Sequence, residues 1–164
     1  MSKKKRAIKL ERKDFWIMAE LMENSRMTLK QMATKLDLPK STLHSRIKRM
    51  EDLGVIRNYS IFPDYQKMGI NISAFIMISY SKEDGVEQNE LANTLAHLPH
   101  VQEVHIIAGE WDLILKVRMR DIEELAVFTV KHLKEIKGVN SSLTYVTLQT
   151  VKDSSDAPYV IENI

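Results

Sequence analysis

Apolar residues between positions 29 and 50 fall into two short helical runs parted by three residues, and nothing else in the chain restricts its fold so tightly. Leu29, Met32, Ala33 and Leu36 stand at i, i+3, i+4 and i+7, one face of a helix. Thr28, with Gln31 three residues on, reads as a capping box at its start. Asp37-Leu38-Pro39 ends it, because the residue before a proline is steered out of the helical region. A further helix is predicted from Lys40 to Leu53, with Leu43, Ile47 and Met50 on its apolar face and Gly54 as its stop. Upstream, Leu10, Asp14, Ile17, Met18 and Leu21 keep helical spacing over residues 10–24, and Asn24-Ser25-Arg26 breaks the run. Three short helices, the last two joined by a tight turn, form a helix-turn-helix unit.

Such a unit lays the outer face of its last helix in the DNA major groove. At about 100° per residue, Ser41, Ser45, Lys48 and Asp52 lie opposite the apolar face, flanked by Thr42, His44 and Arg49. Lys48 and Arg49 suit phosphates or guanine edges, and Ser41, Thr42 and Ser45 bond phosphates or bases without bulk. His44 suits either. A solvated surface helix has the same pattern, so charge is needed to choose. Residues 1–65 hold 15 Lys+Arg and 8 Asp+Glu, a net +7, whereas residues 66–164 hold 9 and 14, a net −5. The whole-chain value of +2 hides this split. A basic module attracts polyanions, which favours DNA. The basic arm Lys3-Lys4-Lys5-Arg6 either adds salt-dependent DNA affinity or keeps the terminus soluble.

After Gly54 the segment 55–62 is rich in β-branched and aromatic residues and is predicted to be a strand, the wing of a winged helix. Arg57 within it is either a backbone contact to DNA or a solvated charge. Pro63-Asp64 and Met68-Gly69 are turn signals, so residues 1–62 are expected to form the DNA-binding domain and 63–70 a linker. Over 71–152 the pattern changes. A largely apolar strand from Ile72 to Tyr80 precedes a helix from Glu87 to Leu98 and a strand from Val101 to Ala108. After the turn Gly109-Glu110-Trp111-Asp112, Leu113, Leu115, Val117 and Met119 alternate with Ile114, Lys116, Arg118 and Arg120, the period of a half-exposed strand. Asp121 is expected to cap a helix to Lys137, with Ile122, Leu125, Ala126, Thr129, Leu133 and Ile136 inward and Gly138 as its stop. A last strand is expected from Val139 to Val151. The order β-α-β-β-α-β is the ferredoxin-like split unit, and the fold class is α+β. Two helices cover one sheet face only, so a second copy is expected on the other, giving a homodimer. Residues 153–164 are expected to be a loose tail or a dimer arm.

Composition removes other classes. The chain has no cysteine, which excludes disulfides, thiolate zinc sites and a cysteine nucleophile. No apolar run is longer than that from Ala74 to Ile78, which is too short to span a bilayer, and no apolar stretch directly follows the basic start. A cytoplasmic, non-membrane protein fits. His97 and His100 flank Leu98-Pro99 and share no regular helix face, so no metal site is expected. No phosphate loop or nucleophile motif is present, so neither a cofactor nor catalysis is expected.

The residues quoted match one family over about positions 8–152. The chain resembles the Lrp/AsnC (leucine-responsive and asparagine) regulators. The likeness rests on Leu10-Glu-Arg-Lys-Asp14, Ser25-Arg26, Met32-Ala33, Leu36 and the run from Thr42 through Arg46 to Ile56. Beyond these it rests on Tyr59, Lys67-Met-Gly69, Gly109-x-x-Asp112, Gly138-Val139 and Thr144-x-x-x-Leu148. It implies an N-terminal winged helix-turn-helix domain and a C-terminal RAM/ACT-like αβ-sandwich that binds an effector. It adds Arg46 to the candidate DNA-binding residues, and it implies a dimer assembling to a tetramer or octamer. The effector it implies is an amino acid held where two C-terminal domains meet. By position, Gly109, Glu110, Trp111, Asp112 and Thr144 would line that pocket. The same Gly109 and Asp112 would also serve simply to build the hairpin turn. The chain departs from the family pattern at Pro39, where a serine is usual, and the loop carries Glu110 and Trp111, for which a cationic amino acid is a weak match. Sirohaem-type tetrapyrrole decarboxylases resemble the same two-module architecture, and a purely architectural DNA-binding protein is the third reading.

Overall fold

The computed structural model describes residues 8–152, which form two compact units divided between Phe62 and Pro63. The basic arm and the tail 153–164 lie outside the described residues.

The first unit packs three helices, α1 (Arg12–Glu23), α2 (Leu29–Leu36) and α3 (Lys40–Asp52). Each contributes to one small core, Ile17 from α1, Met32 from α2, and Leu43 and Met50 from α3. The expected capping box opens α2: the Gln31 amide donates to Thr28 Oγ1 at 3.3 Å and the Thr28 amide to Gln31 Oε1 at 2.9 Å. Asp37 closes α2 in the left-handed region, at φ 50°. Pro39 stands at the N-cap of α3, where its missing N–H costs nothing.

The segment 55–62 is not a strand. The amides of Val55 and Ile56 donate to the Met50 carbonyl at 2.9 and 3.1 Å, which wraps the chain over the end of α3. Beyond them no described segment pairs with residues 57–62, and a ladder needs a neighbour whatever the local propensity. Ile61 and Phe62 are about 80% exposed, at 81% and 79%.

The second unit is a four-stranded antiparallel sheet in the order β2-β3-β1-β4, from β1 (Ile72–Tyr80), β2 (Val101–Ile106), β3 (Leu113–Met119) and β4 (Val139–Val146). Two helices cover one face, α4 (Gln88–Ala96) and α5 (Ile122–Val127), the latter continuing as a π turn over Phe128–His132 and a 3-10 turn over Leu133–Glu135. This is the expected ferredoxin-like order. Ala74, Ile76 and Ile78 of β1 and Leu113, Leu115, Val117 and Met119 of β3 meet Leu91 and Leu95 of α4 in the core. Asp121 caps α5 through the Glu124 amide, at 2.8 Å.

The inward face of α5 differs from the expectation. Leu125 and Leu133 are buried, but Ile122 and Ala126 are exposed and Phe128 takes the inward place. The reason is the π turn. The Leu133 amide donates to the Phe128 carbonyl, five residues back, and the widened turn brings both side chains to the sheet. The last strand stops at Val146 rather than Val151. The Thr147 amide still reaches the Ser73 carbonyl at 2.8 Å, after which Leu148 and Val151 are solvent-exposed.

The uncovered sheet face carries the alternate residues. Phe75 and Met77 of β1 stand beside Tyr145 and Leu143 of β4, and Met77 also faces Ile114 of β3. Phe75, Leu143 and Tyr145 are exposed there.

Candidate nucleic-acid interface and ligand loop

Helix α3 is the element whose surface fits DNA. Its N-cap, Pro39, gives no side-chain cap, so its first amides are open to an acceptor such as a phosphate. Ser41, His44, Ser45 and Lys48 are exposed and Thr42 is half-buried. The Ser45 hydroxyl bonds back to the Thr42 carbonyl at 3.0 Å. Lys48 and His44 have no hydrogen bond or ion pair with any described residue. These five side chains share the outer side of the helix.

The two arginines do not join them. Arg46 turns to α1, where Nη1 donates to Asp14 Oδ1 at 2.9 Å and Nη2 to Glu11 Oε2 at 2.6 Å. Arg49 follows less tightly, with Nη1 3.5 Å from Asp14 Oδ2 and Nη2 donating to the Lys9 carbonyl at 3.2 Å. Asp14 is completely buried and also accepts the Glu11 amide at 2.9 Å. Burial pushes its carboxyl up, but the Glu11 amide and the two guanidiniums outweigh that and hold it below the ordinary carboxylate range. Asp14 and then Glu11, by their hydrogen bonds, hold Arg46 more firmly protonated.

Sequence reasoning placed Asp14 on the apolar stripe of the first helix and gave it no role. The signal was there: a carboxylate at a core position must find a cation or leave the core. Its partner is 32 residues away, which local spacing cannot supply.

In the second unit the hairpin loop keeps Gly109, Glu110, Trp111 and Asp112 together between β2 and β3. Asp112 is tied into the sheet. Its carboxylate Oδ2 accepts the Tyr80 amide at 2.8 Å, its amide donates to the Ile78 carbonyl at 3.0 Å, and its carbonyl accepts the Ile107 amide at 2.9 Å. A Cβ built on Gly109 would meet nothing within 4 Å, so packing inside the chain does not require a glycine there. Glu110 is exposed and Trp111 half-buried. Thr144 is not beside this loop. On β4 it pairs with Ile76 of β1, and β1 lies between β4 and β3. A groove of about 490 Å³ lies elsewhere, between the start of β2 and α5, with Leu98, His100, Glu124 and Phe128 in its walls.

The segment 63–70, expected as a linker, belongs to the second unit. The Arg118 guanidinium lies 4.0 Å from the centre of the Tyr65 ring, and Gln102 donates to the Tyr65 hydroxyl at 2.6 Å. Among the described residues no helix is long and apolar enough to cross a membrane, and no group of three or more acidic or histidine side chains is placed to hold a metal.

Comparison with known proteins assigns both units. Residues 10–57 match the family model described as winged helix-turn-helix DNA-binding, and residues 73–157 match the Lrp/AsnC ligand binding domain. An uncharacterized HTH-type transcriptional regulator of Pyrococcus furiosus is 40% identical over 144 residues, 88% of this chain and 96% of that one. The proline dehydrogenase transcriptional activator of Rhizobium radiobacter is 30% identical, over 88% of this chain and 93% of its own. Among solved structures, a transcriptional regulator of Neisseria meningitidis in complex with L-Met superposes with a TM-score of 0.84 at 24% identity, covering 90% of this chain and 95% of that one. AsnC of Escherichia coli does so with a TM-score of 0.82, also at 24% identity, covering 92% of this chain and 100% of that one. At that identity the two structures speak for the fold.

Proposed function

The chain belongs to the Lrp/AsnC family of DNA-binding transcriptional regulators, and on that premise we propose that it binds duplex DNA as a homodimer through the outer face of α3 and releases or retains that DNA according to a bound amino acid. Ser41, Thr42, His44 and Ser45 read base edges or phosphates, and Lys48 neutralises a phosphate. Arg49, half-exposed and loosely held, stands at the margin of this surface. The observation that carries the reading is the outer side of α3, where Lys48 and His44 are exposed and unengaged on a helix of a basic unit.

Two copies pair through the uncovered sheet faces. Phe75, Leu143 and Tyr145 lie exposed there, and pairing removes them from water. The effector is an amino acid, received by the loop 109–112. Asp112 Oδ2 is occupied by Tyr80, which leaves Oδ1 for an ammonium. Gly109 has open space around it for a ligand carboxylate to approach the backbone. Thr144 stands apart from this loop within one chain, so it enters the pocket from a neighbouring copy. Dimers associate further to a tetramer or octamer, and the protein works in the cytoplasm. The Neisseria meningitidis regulator, which carries L-Met, supports an amino acid as the class of effector.

The test is selection of bound fragments from genomic DNA by the purified protein, repeated with each amino acid present. The expected result is a defined set of fragments whose occupancy changes with one or a few amino acids. Asp112→Ala should abolish that response while light scattering still gives a dimer. Failure to retain duplex DNA at low salt overturns the reading, and a responsive Asp112→Ala variant overturns the pocket.

A further inference from the structure

We infer that Arg46 is a positioning residue of the DNA-facing helix, held by Asp14 and Glu11 of α1, and that it supplies the rotational setting of α3 rather than a contact to DNA. The inference rests on the DNA-binding reading above.

The geometry is that of a clamp. The two outer nitrogens of one guanidinium meet two different carboxylates, at 2.9 Å on Asp14 and 2.6 Å on Glu11. A fork bonded at both tips fixes direction as well as distance. Asp14 is itself fixed, being buried and bonded through its other oxygen to the Glu11 amide. Glu11 is the N-cap of α1 and its side chain is largely exposed, so Asp14 is the firmer of the two anchors. Only Leu43 and Met50 of α3 are fully buried. Seven residues apart, they lie almost along one line of the helix. A line of contact locates a helix but resists rocking about that line poorly. Ile47, half-buried against the same core, stands about 40° round the helix from Leu43 on one side, and Arg46, about 60° round on the other, fixes the opposite flank.

The phase follows from the helical repeat. Two residues from Arg46 in either direction, at about 200°, stand His44 and Lys48. Holding Arg46 against α1 therefore turns His44 and Lys48 away from the body of the unit. His44 and Lys48 thus stand across the helix from the residue that aims them, while Thr42, one turn before Arg46, lies at the near edge of the outer face. Engagement with DNA would require Arg46 to leave two carboxylates, one of them buried, and would strand Asp14 without its principal cation.

Salt dependence separates aiming from touching. Each phosphate contact contributes about 0.9 to the slope of log affinity against log salt. Anisotropy titrations of the full chain with a duplex it retains, over a range of salt, should give an Arg46→Met variant weaker by 10-fold or more at every salt with an unchanged slope. Arg46→Lys, which keeps the charge but cannot grip both carboxylates, should be weakened in the same manner and covers the case in which Arg46→Met does not fold. Asp14→Asn should follow them, again at constant slope, although Asp14 is itself buried and makes no contact to DNA. A slope reduced by about 0.9 in Arg46→Met, or Arg46→Lys binding like the parent while Asp14→Asn also binds normally, overturns the inference and leaves the DNA-binding reading standing. A parent protein that binds no duplex overturns both.

Discussion

The two units hold themselves together by different means. The sheet unit buries twelve apolar side chains in one core, from Ala74 to Leu133, and its ion pairs lie toward the surface. The helical unit buries four, and sets beside them a carboxylate with no exposure at all and two arginines. Hydrocarbon burial is indifferent to pH and only weakly affected by salt, whereas a buried ion pair is destabilised steeply if one partner is lost. The small unit therefore rests its stability, and the setting of α3 against α1, on the same few charged atoms.

The chain carries a reporter for each side of this contrast, Trp16 in the helical unit and Trp111 in the sheet unit, and each can be followed alone with the other replaced by phenylalanine. The largest effect expected is that of Asp14→Ala. It leaves Arg46 and Arg49 without their shared partner and should cost the helical unit about 3–5 kcal/mol, read as a collapse of the Trp16 transition with the Trp111 transition in place. Should both transitions fall together, the units are not energetically separate. Leu115→Ala is the converse, a cavity in the sheet core worth about 2–5 kcal/mol, and should move the Trp111 transition.

Acid should separate the units next. Asp14 titrates below its unfolded value, so its contribution is complete above the unfolded carboxylate range and drains away as pH falls through the folded value. Glu103 and Glu124 of the sheet unit are lowered too. Glu103 is raised by burial but lowered more by His105 and Lys116, and Glu124 is lowered by the Arg120 amide and side chain. Both belong to surface pairs, which contribute little. Melting followed from pH 6 to 3 should thus show the Trp16 transition falling sooner and further. An equal fall would mean that the buried aspartate adds nothing particular. The smallest effect is that of Thr28→Ala, which removes the cap of α2 at a cost of about 1 kcal/mol and should register at Trp16 alone.

What could be read from the residues beforehand was what neighbours in sequence decide. The three helices follow from repeats of three and four residues, the start of α2 from Thr28 and Gln31, and β3 from strict alternation. The errors share a cause. Residues 55–62 have the composition of a strand, but a strand is a relation between two segments, and no second segment is offered. For Arg46, a candidate on the resemblance, the residues beside it show its charge but not its counter-charges, Asp14 and Glu11 of the first helix. Phe128 was missed because the π turn breaks the period used to find the inward face. In the loop 109–112, Gly109 and Asp112 are legible as a turn, and the bond from the Tyr80 amide to Asp112 agrees with that part of the reading.

That widened turn also decides where the chain tolerates a change of length. In α4, which has ordinary helical spacing, loss of one residue between Leu91 and Leu95 would swing the second leucine about 100° off the sheet. Between Phe128 and Leu133 the opposite holds. Removing the exposed Val130 would bring the two side chains to the i, i+4 spacing of a regular helix, with both still facing the core. Deletions inherited along this helix are therefore expected to collect within one turn of Val130, where the chain holds a residue in reserve.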